Sequence, residues 1–366
     1  MSTLSVPITA PLPALALANA SVRVHTGDAM TARLPALAEF VSVKHPESIS
    51  RSPSWLLALA GGLGHAMYCL ELIDGTRTRG ILPLAYMRSA MFGRFLVGLP
   101  YLNVGGVIAE DSAACKTLVD RAIELADVLD VRFLELRHER AVTHAQLVKS
   151  RDGKVNMRLA LPSTPTALWD QLPAKVRNQV RKARRNDLSV TWGAQELLAD
   201  FYDVFSRNMR DLGTPAYGIC LFASILHHFR GQAELCVVRA AGRPISGALL
   251  LHGDGMTEVP SASSLRSQNH TCANMLMYWH LLERAIGRGQ STFDFGRSSP
   301  GSGTYRFKLQ WGARPMPTHW QYYLRRGDSS DMRPSNPKYR RLIRIWQHLP
   351  VCLTRILGPW CVRGIP

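Results

Sequence analysis

The segment 293–312, FDFGRSSPGSGTYRFKLQWG, concentrates residue types that bind anions or stabilise a developing negative charge. Its apolar start predicts a strand, which would deliver Asp294 and Arg297 to a loop of Gly, Ser and Pro. Gly301 and Gly303 would let the backbone approach a ligand closely. The segment lacks the G-x-x-x-x-G-K-[ST] pattern of a Walker loop, and an ordinary loop beside a packed tryptophan is the alternative interpretation. The candidate side chains are Asp294, Arg297, Tyr305, Phe307, Lys308 and Trp311.

A second segment, 172–186 (LPAKVRNQVRKARRN), predicts an amphipathic helix with a basic face. Val176 and Val180 fall on its apolar face by helical spacing, and a row of arginines falls on another. Guanidinium groups suit bidentate recognition of phosphate, so we expect Arg177 and Arg181 to bind phosphate. A solvated charged face is the alternative, although such faces ordinarily mix both signs and this one has no acidic residue.

Two further segments place polar residues at predicted helix ends. Residues 207–215 end a helix at an expected glycine C-cap, and Asp211 is a candidate binding residue there. Residues 261–274 follow a strand and open a helix, whose free N–H groups and positive dipole end suit an anion or an oxyanion. Ser264 and Asn274 are the candidates at that end. Ordinary capping hydrogen bonds are the alternative in both places.

The composition fits a folded protein with an anionic partner. The 366 residues are 46% apolar, and 44 Lys and Arg against 27 Asp and Glu give a net charge of +17. This excess favours phosphate, nucleic acid or a membrane surface. The seven cysteines form no C-x-x-C pair and the twelve histidines no metal-ligand spacing, so we expect no metal site and a cytoplasmic location. No apolar stretch reaches the roughly 18 residues of a membrane helix. Residues 1–20 predict a disordered tail, with a secretion signal as the alternative.

The elements around these segments repeat once along the chain. Residues 67–136 predict a strand, its hairpin partner, an amphipathic helix and a further strand, and residues 235–295 predict the same order. Cys69 and Cys236 are matching positions in the two copies. So long a period indicates two copies of one domain, with chance similarity as the alternative. Each copy predicts an α/β (α+β) architecture, in which helices pack on a mixed sheet.

The segment that follows Leu324 has the composition of a membrane-surface helix. It carries nine Lys and Arg residues against two Asp. In 338–348, KYRRLIRIWQH, arginines alternate with Ile and Trp, and PVCLTRILGPW follows directly. This pattern predicts peripheral contact with the inner membrane surface through residues 338–360. Docking on the protein's own domain is the alternative.

Three segments resemble a known family. PAKVRNQVRKARRN, NMRDLGTP and FDFGRSSPGSGTYRFKLQWGARPMPTHWQYY are similar to FemAB-like proteins associated with exosortase/PEP-CTERM systems, within the wider Fem and GNAT-type acyltransferase superfamily. The resemblance covers residues ~60–325 and is densest in the second half. It implies two tandem GNAT-like domains with mixed sheets flanked by helices. The expected divisions are a tail at 1–20, a first domain at 21–155, a second at 156–325 and a basic tail at 326–366.

The resemblance implies acyl or aminoacyl transfer to an amine of a cell-envelope polysaccharide, a peptidoglycan-type precursor or a lipid-linked glycan. Phe307 and Lys308 resemble the aromatic–lysine pair that Fem-type enzymes place at the reacting ester. We therefore expect Lys308 to stabilise charge, and Asp294 to accept a proton. Arg177, Arg181 and Arg297 would hold phosphates. Tyr305 and Trp311 would line the reaction pocket.

The donor stays open between acyl-CoA and aminoacyl-tRNA, and no resident cofactor is expected. GNAT enzymes that use CoA grip its pyrophosphate with an R/Q-x-x-G-x-G/A loop at a helix start. The matching segment here is 266–271, RSQNHT, in which Asn269 and Thr271 replace small residues and make close approach of a pyrophosphate less easy. The high positive charge favours a polyanionic donor such as charged tRNA. The alternatives to an enzyme are a nucleic-acid-binding protein acting through 172–186 and a non-catalytic scaffold in exopolysaccharide assembly.

Overall fold

The computed structural model describes residues 20–89, 93–149, 153–326 and 340–365. Ala20 starts the first strand, and the remainder of the expected tail lies outside the described residues. The strands, in chain order, are β1 (Ala20–His25), β2 (Ala66–Asp74), β3 (Arg77–Ser89), β4 (Gly93–Val97), β5 (Ile108–Ala109), β6 (Phe133–His138), β7 (Val148–Lys149), β8 (Val155–Ala160), β9 (Leu188–Gly193), β10 (Ala233–Ala240), β11 (Arg243–His252), β12 (Met256–Ser264), β13 (Thr292–Ser298), β14 (Arg314–Pro317) and β15 (His319–Leu324).

Helices connect and cover these strands. They are α1 (Gly27–Lys44), α2 (Ser54–Leu63), α3 (Ser112–Val128), α4 (Pro165–Gln171), α5 (Ala174–Arg184), α6 (Leu198–Asp211), α7 (Ile219–His228), α8 (Ala273–Gly287), α9 (Gly303–Leu309), α10 (Arg340–His348) and α11 (Val351–Val362). Short 3-10 turns lie at Ile49–Arg51, Gln195–Leu197 and Arg266–Thr271. Among the described residues, none of the helices has the length and apolar character needed to cross a bilayer.

The strands form two mixed sheets of the same design. In the first, the order is β1-β2-β3-β4-β6-β15-β7, with β5 beside β3; in the second, it is β14-β8-β13-β12-β11-β10-β9. Each sheet has one parallel pair, β4 with β6 and β12 with β13, and antiparallel neighbours elsewhere. Cys69 on β2 and Cys236 on β10 are both buried, but Cys69 packs with α2 on the sheet face away from α3, whereas Cys236 packs on α8, so the predicted match of these two positions is wrong. The predicted fold class, a mixed α/β architecture with two such units, is confirmed.

The two sheets exchange strands. After β7 the chain leaves the first sheet, and β8 pairs with β13 of the second sheet. After β14 the chain returns, and β15 pairs with β6 of the first sheet. Residues 319–324, which the sequence placed in a second domain ending at 325, therefore lie in the first sheet. Local sequence carries no signal for this exchange, because β15 has the same strand character in either sheet.

Two other local expectations differ from the structure. The sequence also predicts one continuous helix over 165–186, but the structure divides it into α4 and α5 at Leu172 and Pro173, because proline lacks the N–H that a continuous helix needs. The loop expected after Arg297 contains the helix α9, which begins after Ser302. The Ser302 hydroxyl accepts a hydrogen bond from the Tyr305 N–H at 3.2 Å, which caps this helix.

The helices α10 and α11 pack on the body of the protein. Gln347 of α10 donates a hydrogen bond to the Asp211 carbonyl at 3.1 Å, at the end of α6. Arg355 of α11 contacts Asp203 and donates to the Ser206 hydroxyl at 2.8 Å. One side of these helices therefore docks on the protein's own domain, which was the alternative interpretation of the basic tail.

Candidate active site

Lys308 lies at the centre of the candidate site. It is the sixth residue of α9, and only 7% of its surface is exposed. Its ammonium group donates hydrogen bonds to the carbonyls of Gly296 at 3.0 Å and Arg297 at 3.1 Å. Since an ammonium has three N–H donors, one remains for a ligand. Lys308 can therefore supply a fixed positive donor to a nearby oxygen.

A bulge in β13 turns those two carbonyls toward Lys308. The pairing of β13 with β8 shifts between Asp294 and Arg297, so that one extra residue enters β13 there. Gly296 sits in the bulge with φ of +76°, a conformation that glycine adopts without strain. The Asp294 carboxylate accepts a hydrogen bond from the Gly296 N–H at 2.7 Å. Asp294 thereby shapes the turn that positions Lys308.

Burial changes the protonation of Lys308. Desolvation lowers the pKa of its ammonium to about 8, and the negative charge of Asp294 opposes that shift. The side chain is therefore mostly protonated at pH 7 and loses its charge within the next two pH units. A lysine with this pKa can act as a charge stabiliser near neutral pH.

A chain of ion pairs links this site to the first sheet. Arg158 on β8 donates to Asp294 at 2.9 Å and also contacts Glu139, which in turn contacts Arg51. Burial alone would lower the pKa of Arg158, but Asp294 and Glu139 outweigh it and raise that pKa. Both oxygens of Asp294 are engaged, one by Arg158 and one by Gly296.

Glu258 on β12 is a second buried carboxyl beside Asp294. The two residues are partners in the parallel pairing of β12 with β13. Glu258 accepts hydrogen bonds from the Ser50 N–H at 3.0 Å and the Ser48 hydroxyl at 3.2 Å, and it also contacts the Ser50 hydroxyl. Burial and the charge of Asp294 raise the pKa of Glu258 to about 7, against the hydrogen bonds from Ser50. This carboxyl is half-protonated near neutral pH.

The pairing of β12 with β13 ends at Glu258 and Asp294, and the strands part beyond them. Gly296 lies near Val259 and Asn103 in this region. Beyond Val259, β12 borders a cavity of about 250 Å³ between the two halves. Its lining includes Tyr101, Leu102, Asn208, Tyr217, Ser261 and Ser263. A small acceptor group could enter here, close to the bulge that holds Lys308.

Two arginines stack on Trp320 in the same region. The guanidinium carbon of Arg297 lies 3.5 Å from the centre of the indole ring, and that of Arg137 lies 4.0 Å from it. Burial raises the pKa of Tyr217 to about 12, while the charges of Arg137 and Arg297 oppose that shift. Arg297 thus belongs to a cationic and aromatic group at the junction of the halves. Its phosphate-binding role stays a prediction.

The arginines of α5 lie in a different group. Arg181 donates to Asn178 at 3.0 Å, and the guanidinium groups of Arg181 and Arg184 lie 5.4 Å from the Trp169 ring centre. Arg177 is half-buried, and its Nε atom has no hydrogen-bond partner among the described residues. The structure does not bring these side chains into contact with Lys308. Their role in binding phosphate therefore stays a prediction for a separate part of the surface.

The aromatic candidates line or support α9. Phe307 packs on Tyr278, with ring centres 4.9 Å apart. Trp311 is almost fully buried in the second core and borders a cavity of about 430 Å³ with the start of α5. Tyr305 is half-buried at the edge of the same core. These residues fix the position of α9, and Trp311 in addition reaches a cavity.

The remaining candidates are dispersed. Asp211 pairs with Arg210 at 2.6 Å, under the connection between α10 and α11, where Arg210 also donates to the Leu349 carbonyl. Ser264 ends β12, and Asn274 lies in the first turn of α8; both are half-buried. The structure does not place these three beside Lys308. In the described part of the chain, no group of three or more His, Cys, Asp or Glu side chains could hold a metal ion.

Comparison with family models found a match in the second half of the chain. Residues 173–309 match the model described as an acetyltransferase (GNAT) domain. Residues 173–309 are thus similar to a GNAT-type acetyltransferase domain. The match begins just before α5 and ends with α9, so it includes Lys308 and most of the second sheet. Comparison of the sequence with curated proteins found no match.

Solved structures share the fold over most of the chain. FemX aligns with a TM-score of 0.61 at 14% identity, over 84% of this chain and 98% of that protein. A tandem GNAT protein from the clavulanic acid biosynthesis pathway aligns with a TM-score of 0.55 at 12% identity, over 84% of this chain and 100% of that protein. The C-terminal domain assigned to a lysylphosphatidylglycerol synthetase from Agrobacterium fabrum aligns with a TM-score of 0.54 at 11% identity, over 82% of this chain and 94% of that domain. At such low identity these matches show the fold alone.

The segment that the sequence analysis matched to the CoA loop of GNAT enzymes, Arg266–Thr271, is a 3-10 turn ahead of α8. The Thr271 hydroxyl accepts a hydrogen bond from the Ala273 N–H at 3.2 Å, although the N-cap position of α8 is Cys272. The Cys272 N–H donates to the Asn269 carbonyl at 3.1 Å. Two N–H groups at this helix start, those of Cys272 and Ala273, are therefore already engaged.

The sequence analysis missed the residues that contact the site from distant parts of the chain. Glu258, Arg158 and Glu139 come from β12, from β8 and from the residue after β6, and Tyr217 follows the NMRDLGTP segment. The one local signal was Glu258, a charged residue that lies between buried neighbours. Its partners Ser48 and Ser50 are 210 and 208 residues away, so their contact follows only from the fold.

Proposed function

We propose that this protein transfers an acyl or aminoacyl group to an amine of a cell-envelope polysaccharide, peptidoglycan-type or lipid-linked precursor. The observation that carries the proposal is the buried Lys308 ammonium, held by two carbonyls with one N–H to spare. Acyl transfer needs such a donor, because negative charge develops on the carbonyl oxygen in the transition state. The GNAT domain supports the reaction class, and the Fem-type resemblance supports the class of acceptor.

In the proposed reaction the acceptor amine attacks the donor carbonyl carbon, and Lys308 stabilises the resulting oxyanion. The amine then loses a proton, the bond from the carbonyl carbon to the leaving oxygen or sulfur breaks, and the leaving group takes up a proton. The contacts of Asp294 with Arg158 and Gly296 favour a positioning role for Asp294 over the proton-accepting role expected from the sequence. We propose that Tyr305, Phe307 and Trp311 support α9 around the site.

Both acyl-CoA and aminoacyl-tRNA are candidate donors. The engaged N–H groups of Cys272 and Ala273 favour aminoacyl-tRNA, because a pyrophosphate bound to them would have to displace existing hydrogen bonds. The basic face of α5, with Arg177 and Arg181, would bind the tRNA phosphates. We further propose a cytoplasmic location and a role in exopolysaccharide assembly of the exosortase/PEP-CTERM type, on the resemblance of the three sequence segments.

The first test identifies the donor by thermal shift. Acetyl-CoA, charged tRNA, uncharged tRNA and nucleotide-sugars are compared, since a ligand at 100 times its dissociation constant adds about 2.7 kcal/mol of stability. We expect charged tRNA to stabilise more than uncharged tRNA. Equal shifts with both would favour the nucleic-acid-binding alternative, and a shift with acetyl-CoA would make the protein an acyl-CoA enzyme.

The second test removes the proposed charge stabiliser. We expect Lys308→Met to lower turnover about 10²–10³-fold, the usual effect of losing one oxyanion donor. Lys116→Met is the matched control, because Lys116 is an exposed lysine on α3. Unchanged turnover in Lys308→Met would refute the assignment. No turnover of the wild-type protein with any donor would favour the scaffold alternative.

A further inference from the structure

The helices α10 and α11 expose an apolar face that no described part of the chain covers. On α11, Leu353, Ile356, Leu357 and Trp360 follow the spacing of a single helical face. Trp360 is 83% exposed and Ile356 is 65% exposed. Leu342 and Ile345 are similarly exposed on α10. We call these six residues the α10–α11 apolar face.

The opposite side of α11 is firmly docked. Thr354, Gly358 and Val362 are buried there, and Gly358 lies directly against Ala216. Arg355 is bonded to the Ser206 hydroxyl from the same helix. A surface helix ordinarily turns polar residues to water, whereas α11 is apolar on the docked side and on the exposed side. Since docking fixes the helix, the apolar face is held outward and needs a partner of its own.

The charge around this face selects the kind of partner. Residues 340–365 contain five arginines and no acidic residue. Arg341 and Arg344 are exposed on α10, interleaved with Leu342 and Ile345. A second copy of the same face would bring like charges together, which disfavours self-association. An anionic surface that also accepts apolar side chains would match both the arginines and the apolar face.

We propose that the α10–α11 apolar face docks on an anionic lipid bilayer. The apolar side chains enter the boundary between headgroups and acyl chains, and Arg341 and Arg344 contact lipid phosphates. Trp360 suits this boundary, because tryptophan is enriched at membrane interfaces. Binding is peripheral. The inference does not rest on the proposed transfer reaction, since lipid binding is measured without turnover and either can fail alone.

Flotation with vesicles tests the proposal on the full chain. We expect binding to vesicles that mix phosphatidylglycerol with phosphatidylcholine, and weaker binding to phosphatidylcholine alone. The double variant Ile356→Glu/Trp360→Glu should lower partitioning at least tenfold. Both positions face solvent, so folding is expected to persist, and circular dichroism checks it. Val43→Glu is the matched control, because Val43 is an exposed apolar residue on α1.

A second pair of variants isolates the charge. Arg341→Glu/Arg344→Glu should lower binding to anionic vesicles by about fivefold for each arginine removed. Arg230→Glu/Arg243→Glu is the control, because both residues are exposed elsewhere. Absence of wild-type binding to any vesicle would overturn the proposal. So would a dimer in solution that Trp360→Glu disperses, since a second copy would then be the partner of the face.

Discussion

Lys308 makes the sharpest prediction, because its ammonium is buried and its pKa is far from the ordinary value. Burial lowers that pKa from 10.5 to about 8, against the attraction of Asp294. In the unfolded chain Lys308 is hydrated and keeps the ordinary value. Protonation of Lys308 therefore destabilises the folded state relative to the unfolded state.

The size of the effect follows from these two values. One pKa unit corresponds to about 1.4 kcal/mol, so protonated Lys308 costs the folded state about 3 kcal/mol. The cost is fully present below pH 8, where both states are protonated. It disappears as the pH rises from 8 to 10.5, because the folded protein releases the proton first. Relative to a variant without this group, the wild type must gain stability across that range.

Urea unfolding of wild type and Lys308→Met at pH 7 and pH 10 measures this gain. We expect the difference in unfolding free energy to move by about 2.5 kcal/mol in favour of the wild type between pH 7 and pH 10. Taking the difference cancels the titration of other groups. Lys116→Met should show no such movement, because Lys116 is an exposed lysine. A constant difference between wild type and Lys308→Met would refute the lowered pKa and the mechanism that uses it.

Other perturbations test the groups around the site. From below pH 4.5 to above pH 7, the unfolding free energy of Glu258→Gln should rise relative to that of wild type by about 3 kcal/mol, because ionising the buried carboxyl costs the folded state; urea titrations at several pH values measure this change. Arg158→Met should lose about 3–5 kcal/mol in urea unfolding, since it leaves the buried Asp294 carboxylate without its cationic partner, whereas Arg207→Met, in an exposed pair, should lose less than about 1 kcal/mol. Gly358→Ala should loosen α11, because the added Cβ would lie 2.8 Å from the Ala216 carbonyl oxygen; hydrogen exchange of residues 351–362 should quicken, and Gly287→Ala, which meets no neighbour, should leave it unchanged.

Local sequence was enough to predict the repeated elements. The hairpin strands β2 and β3, and β10 and β11, are runs of apolar residues joined by Gly-containing turns. The helix α3 shows apolar residues at helical spacing, and its N-cap Asp111 accepts a hydrogen bond from the Ala114 N–H. These features depend on residues only a few positions apart, and their order indicated two similar domains.

The strand exchange could not be predicted in the same way. A strand such as β8 or β15 carries the same alternation whichever sheet it joins, so its partner is chosen by packing. The same limit applied to the site. The resemblance identified Lys308 and Phe307, but the Arg158–Asp294 pair joins residues 136 positions apart. Contacts of that kind follow from the fold and leave no local pattern.

The exchange also explains why the site lies where it does. Because β8 enters the second sheet from the first half, it carries Arg158 to Asp294 and keeps Glu139 beside it. Because β15 returns to the first sheet, Trp320 reaches Arg137 while remaining against Arg297. The bulge that holds Lys308 is thus braced from both halves. A donor at this position needs little reorganisation when charge develops on a substrate, which is the condition for strong electrostatic stabilisation.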